Sequence, residues 1–256
     1  MGYGFAFRSE SSYFAIEMQT KANVLPQEIQ VAGLDMTMSN LGFCRFFLDL
    51  DTLDLRLDVA GLVSTEKGNR KLVRANSDDL RRSIEIRQGV DRVAGGCDFV
   101  FAEVPSGSQS SRAALSFGIT IGILASLRVP LIQVMPSETK IHTVGRKTAT
   151  KDEMIQWSYA RYPQAPWQRY QRDVKNRAGI LVHSAGDVHD DNEHMADAMA
   201  VVHAGLRTEE FQRWYALRGR GQISFDSRLA SSLPLQPIVS ERSGLAAGIV
   251  SQRTEL

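Results

Sequence analysis

Cysteine is scarce. The 256 residues carry two, Cys44 and Cys97, far apart and in unlike contexts. Two thiols so placed form no metal-binding spacing and cannot staple a chain of this length, so a reducing, intracellular setting, the cytoplasm, is expected. A long apolar run is missing too. The longest such stretch, AALSFGITIGILASLRV, is broken by Ser, Gly and Arg, falls short of a membrane span and reads as a buried helix. No charged-then-apolar leader is expected, since MGYGFAFRSE is too polar for a signal peptide. Internal repeats are lacking, and the formal net charge is only +1, which by itself says nothing about partners.

The composition that remains is that of an ordinary globular protein, 43% hydrophobic and 23% charged. It suits one core domain of moderate size with extensions, or two small domains. The charge is unevenly placed. From Arg128 to Val182 there are ten Lys/Arg against four Asp/Glu, whereas His183 to Asp197 holds five acids and no Lys or Arg. A basic segment followed by an acidic, histidine-containing one suggests a polyanion surface beside a cation site, although basic stretches are also common as solvated faces.

Along the chain, residues 1–28 show no firm period and read as an N-terminal extension. EIQVAGLDMT is a short apolar run closing on an acid, a central strand over about Ile29 to Asp35. GFCRFFLDLD and DLRLDVAGLV follow as strands, the latter alternating Leu55, Leu57 and Val59 with Asp54, Arg56 and Asp58, which predicts an antiparallel meander. Ser77 with Asp78 and Asp79 starts a helix that Gly95-Gly96 stops. CDFVFAEV is the next strand, closing on Glu103. The linker PSGSQSS leads to an apolar helix over 112–127, whose Gly118 and Gly122 permit close backbone packing. VPLIQVM is a fifth strand, and Thr150 with Glu153 makes a capping box that opens another helix. Tyr162 to Asn176 reads as loop, and HMADAMAVVHAG as a late helix; beyond it, 207–256 reads as a C-terminal extension. The order predicts an α/β fold with a mixed sheet and one core over 29–206.

Asp35 and Glu103 each follow an apolar run, at the edges where α/β sheets collect ligands. His194 and Asp197 stand three apart, on one face of a helix. Asp197 lies among alanines and methionines, where an unpaired carboxylate is expensive and has no capping role. Converging, these groups would form an oxygen-rich site suited to Mg²⁺ or Mn²⁺, and two such ions can drive phosphodiester cleavage. Singly, Asp35 or Glu103 is more readily a turn former or helix cap, and His194 a capping or surface histidine. Asp190, Asp191 and Glu193 compete with His194 as ligands, though acids ahead of a helix also suit its dipole. Lys151 follows the Thr150 cap, and Lys140 lies three residues after Ser137, a possible cap behind Pro136. Cations at helix starts oppose the dipole. A bound phosphate would remove the conflict, and so, at small cost, would snorkelling into water.

Taken together, GLDMT, FAEVP, SRAALSFGITIGIL, PSETKIHTVGRKTATKDEM and HMADAMAVVHAG resemble the RuvC-type Holliday junction resolvases, a branch of the ribonuclease H-like nucleases. The resemblance spans about Ile29 to Gly205. It implies a ribonuclease H-like mixed five-stranded sheet flanked by helices. It also implies a metal set of Asp35, Glu103, Asp197 and His194, with two Mg²⁺ or Mn²⁺ ions per site. Lys140, Gly145 and Lys151 reproduce the spacing of the family's two basic residues near the scissile phosphate. Arg146 and Lys147 would add sequence-independent phosphate contacts. The activity implied is metal-dependent nicking of branched DNA, four-way junctions or flaps, by a homodimer. Many cellular members carry a base-stacking aromatic three residues after the catalytic Glu. Here that position is Ser106, in a loop whose Ser106 and Ser108 would face the DNA instead, which points to looser branched-DNA cleavage. The two extensions are more in keeping with a viral or mobile-element member. Two rivals share the core fold: a non-catalytic junction-binding protein, and an actin-like or sugar-kinase-type ATPase, whose first phosphate loop DMTMSNLG vaguely resembles.

Overall fold

The computed structural model describes residues 27–218 apart from Arg70 and Gln109; of the expected extensions over 1–28 and 207–256, residues 1–26 and 219–256 lie outside the described residues. Three strands open the fold as an antiparallel meander: β1 (Glu28–Met36), β2 (Asn40–Asp49) and β3 (Leu55–Ser64). Helix α1 (Ala75–Ala94) then crosses to β4 (Phe99–Glu103), which pairs parallel to β1. Helix α2 (Ser111–Ala125) crosses to β5 (Leu131–Val134), parallel to β4. The sheet order is β3-β2-β1-β4-β5. This is the mixed five-stranded α/β arrangement expected from the sequence.

Strand β1 is central, and its residues are apolar on both faces because both faces are covered. Val31, Ala32 and Leu34 are fully buried. Val31, Phe99 and Phe101 face α5 (Glu193–Gly205) and α6 (Glu209–Arg218), where Met195, Met199, Val202 and Phe211 complete one core. Ala32, Leu34, Val100 and Ala102 face α1 and α2, packing on Ile86, Val90 and Leu124. The helix α6 thus belongs to the packed body, with Phe211 fully buried.

Between β5 and α5 lie α3 (Pro136–Thr143), α4 (Lys151–Arg161) and a small antiparallel ribbon, β6 (Val174–Lys175) with β7 (Leu181–His183). The stretch expected as loop from Tyr162 to Asn176 therefore ends in a strand. Both cysteines are free and buried. Among the described residues, no helix is long and apolar enough to cross a membrane.

Three local expectations are corrected. Helix α1 starts at Ala75 with no side-chain cap. Its acids are drawn elsewhere: Asp78 accepts from the Gly68 N–H at 3.1 Å, and Asp79 accepts from both terminal nitrogens of Arg112. Ser137 is not a cap. Helix α3 begins with Pro136 in its first turn, and the Glu138 carboxylate accepts from the Met135 N–H at 2.8 Å, which leaves Lys140 in the last turn where a cation suits the dipole. Gly118 and Gly122 do not bring a neighbour close, since a Cβ at either would meet nothing within 4 Å. Helix α2 packs inward through Thr120 and Leu124 and turns those glycines outward.

Candidate active site

Alternation along β1 and β4 decides where the acids point. Asp35 shares a face with Val31 and Gly33, and Glu103 shares the same face of the neighbouring strand with Phe99 and Phe101. That face carries α5. Two glycines allow the helix to come close at this end. A Cβ on Gly33 would stand 2.1 Å from the Ala198 carbonyl oxygen, and one on Gly42 would stand 1.9 Å from that of His194. On the helix side, Ala196 and Ala198 are fully buried and equally slim. The first turns of α5 are thereby pressed against the carboxyl ends of β1 and β4.

The result is a hydrogen bond between distant parts of the chain: His194 Nδ1 donates to Asp35 Oδ2 at 2.6 Å. The Asp35 carboxylate raises the pKa of the imidazole, against the opposing effect of burial. Glu103 accepts from the hydroxyl of the buried Thr139 on α3, 2.7 Å away. Burial raises its pKa and the Thr139 hydrogen bond opposes that; the Asp35 charge adds to the rise and Lys140 works against it. Asp197 is largely buried and receives no hydrogen bond from any described residue. Burial, then the negative charges of Asp35, Glu103 and Glu193, push its carboxyl up to about 8. Three carboxylates on one side of the sheet therefore feel each other's field, and at Asp197 the charge of His194 works the other way.

Among the described residues, no three His, Cys, Asp or Glu side chains stand around one point closely enough to cage an ion as they lie. The donor set nevertheless fits a divalent cation. It is oxygen-rich with one imidazole, and Asp197 carries a desolvation cost that a bound cation would offset.

The basic residues fall into distinct groups. Lys151, in the first turn of α4, donates to Glu193 Oε2 at 2.6 Å. The conflict with the helix dipole is thus met by a carboxylate from the start of α5, and Glu193 serves as that partner. Among the described residues Lys140 makes no ion pair, and its charge reaches Glu103. Arg146 is paired with Glu153. Lys147 is exposed, as are Ser106 and Ser108 in the loop after β4, where the Ser108 hydroxyl donates to the Ser110 carbonyl at 2.8 Å. Among the described residues, neither serine hydrogen-bonds to the acids.

Two positioning residues gave no signal in the sequence. Thr139 is one. The other is Arg82, a fully buried guanidinium on α1 that donates to Thr65 Oγ1 at 2.9 Å, Ser39 Oγ at 2.8 Å and the Met38 carbonyl at 3.2 Å. It fastens the turn that follows Asp35. Both act through tertiary contacts between segments far apart in sequence, which a local pattern does not encode.

No protein-family model and no curated protein matches the chain. Solved structures similar to it include Thermus thermophilus RuvC, at 19% identity over 75% of this chain and 97% of that one, with a TM-score of 0.44. T. thermophilus RuvC in complex with a Holliday junction substrate gives 18% identity over 75% and 96%, with a TM-score of 0.44. Fowlpox virus resolvase, in complex with substrate Holliday junction DNA, gives 12% identity over 70% and 100%, with a TM-score of 0.42. Two of these three structures hold Holliday junction DNA.

Proposed function

We propose that the protein is a metal-dependent endonuclease for branched DNA, resolving four-way junctions or related structures by phosphodiester hydrolysis. The observation that carries this reading is the meeting of Asp35, Glu103 and Asp197 with His194 where α5 presses on the ends of β1 and β4. Asp35, Glu103, Asp197 and His194 would hold the ions. Bound there, two Mg²⁺ or Mn²⁺ ions would activate the attacking water and stabilise the leaving oxygen.

The chain's own groups do the rest. His194 orients the Asp35 carboxylate through its Nδ1–H, and Thr139 orients that of Glu103. Lys140 would stabilise charge at the scissile phosphate. Lys151, held at the site's edge by Glu193, would position the backbone next to it. Lys147 would add a sequence-independent phosphate contact, and Arg146 another on release from Glu153. Ser106 and Ser108 would approach the DNA from the loop after Glu103.

The enzyme would act as a homodimer. Helix α2 supplies a suitable face: Ala114, Leu115, Gly118, Ile121, Gly122 and Ala125 are all exposed and fall on one side of it. A second copy nicking the opposite strand would bury that apolar stripe.

The test incubates the protein with a labelled four-way junction, a flap and a matched duplex, with and without Mg²⁺ or Mn²⁺, and separately with ATP. Metal-dependent nicking of the branched substrates is expected. Robust ATP turnover without DNA, or junction binding with no cleavage under any metal, would sink the reading.

A further inference from the structure

The segment between α4 and α5 forms a second feature that the nuclease centre does not use. Gln168 to His189 runs out and back as a two-stranded ribbon. Its base is tied by the buried Asn192, which accepts from the Gln168 N–H at 2.9 Å and donates to the carbonyls of Gln168 and His189 at 2.9 and 2.7 Å. Above the base, Arg169 bridges to Val188, and the Tyr170 ring stacks on His183 at 4.4 Å and packs at a tilt against His189 at 4.2 Å. The paired strands β6 and β7 follow. The tip is equally well held. Asn176 Oδ1 accepts from the N–H groups of Ala178 and Ile180 at 2.9 and 3.0 Å, and Gly179 takes the φ of 78° that the turn requires. The ribbon is therefore a preformed projection, and it is rooted two residues ahead of His194.

Its surface chemistry is specific. Arg172, Lys175 and Arg177 are exposed and make no ion pair among the described residues, whereas Asp173 and Asp187 are turned back onto the N–H groups of Ala185 and Ser184. Next to these cations, Ile180, Leu181 and Val182 stand 63%, 49% and 51% exposed. An open groove along the same edge is lined by Trp167, Tyr170, Arg172, Val174 and His189. Free cations select a polyanion. An exposed apolar tip on a rigid ribbon, with an aromatic groove behind it, suits the faces of bases that are not fully stacked.

We propose that the ribbon of residues 168–189 is a DNA-binding arm. Arg172, Lys175 and Arg177 neutralise backbone phosphates, and Ile180, Leu181 and Val182 seat against bases unstacked at a branch point. This rests on the branched-DNA reading above and assigns it a recognition element.

The test uses the full chain and two variants, Arg172→Ala/Lys175→Ala/Arg177→Ala and Ile180→Ser/Leu181→Ser/Val182→Ser. Binding to a four-way junction and a matched duplex is read by anisotropy in EDTA across a salt series, and the oligomeric state by light scattering. The charge variant should bind the junction at least about ten-fold more weakly near physiological salt, with a log–log salt slope shallower by about 2 to 3. The tip variant should keep the slope and lose about ten-fold in junction-over-duplex preference. Unchanged affinity and slope in the charge variant would overturn the arm, and so would a change of oligomeric state in either variant. Wild-type protein that binds junctions through the arm but never cuts them would leave the arm standing and remove the nuclease reading; wild type that binds no DNA removes both.

Discussion

The imidazole of His194 and the carboxylate of Asp35 meet at 2.6 Å across 159 residues of chain. The contact exists because Gly42, opposite Asp35 on β2, leaves its Cβ position to the backbone of His194. The glycine is part of the site although it carries no functional group.

Gly42→Ala tests that directly. The added Cβ would lie 1.9 Å from a carbonyl oxygen and 2.7 Å from the Met195 nitrogen, which are main-chain atoms with no rotamer to give. The variant should lose about 3 kcal/mol or more in urea unfolding, at the upper end of overpacking costs, and cleave junctions poorly even where still folded. A change below about 0.5 kcal/mol would show that α5 does not press on the sheet at this point.

Asp197→Asn should trade activity for stability. The folded-state pKa of Asp197, about 8, lies above the unfolded value of 3.8. Its contribution to stability is therefore fully present below the unfolded pKa and is lost as pH rises through the folded one. In EDTA at pH 8 the Asn variant should melt several degrees higher than wild type. Mg²⁺ should raise the Tm of wild type and leave that of the variant nearly unchanged, while cleavage by the variant disappears. Equal metal stabilisation of both proteins would remove Asp197 from the ion-binding set.

Thr139→Val is close to isosteric and deletes one hydrogen bond to Glu103. Because that bond opposes the rise in the Glu103 pKa, its loss should move the acidic limb of the cleavage profile to higher pH and lower the rate at pH 7 about ten-fold. Stability should stay within about 1 kcal/mol. An unshifted limb would reduce Thr139 to a packing residue.

His203 supplies a pH dependence of opposite sign to Asp197. Burial, aided by the charges of Arg161 and Arg207, pushes its imidazole down to about 4 from 6.5. The neutral ring accepts from the Tyr162 hydroxyl at 2.6 Å. Between those two values the unfolded chain binds a proton that the fold refuses, so stability falls as pH drops through the window, by up to roughly 3 kcal/mol. Chemical denaturation from pH 7 to pH 4 in the Asp197→Asn background, where the opposing slope is absent, should show the fall. His203→Gln should flatten it, and an equally steep fall in that variant would place its source elsewhere.

The parts of the fold that were legible are those in which local pattern and tertiary role agree. The strand EIQVAGLDM is apolar throughout because both its faces are covered, and the Thr150–Glu153 capping box is a local hydrogen-bond pattern that the structure repeats at 3.3 and 2.8 Å. Asp197 stood out because no local role accounts for an acid inside an apolar turn. Lys140 was misplaced on its helix because Ser137 resembles a cap, whereas Pro136 and Glu138 together set the start two residues earlier. The ribbon was missed because its paired segments are only two and three residues long and carry no alternation. Tyr170, His183, His189 and Asn192 hold it together instead. The close backbone packing expected at Gly118 and Gly122 does not occur among the described residues, because α2 turns both outward.

The central claim is that Asp35 and its companions form a metal-dependent cutting centre. Single-turnover cleavage of a labelled four-way junction by wild type and Asp35→Asn, each in Mg²⁺ and in EDTA with binding measured in parallel, tests it most directly. The account predicts cleavage by wild type in Mg²⁺ alone, with Asp35→Asn binding the junction normally and cutting it at least about a thousand-fold more slowly. Cleavage that persists in EDTA, or at the wild-type rate in Asp35→Asn, would contradict it.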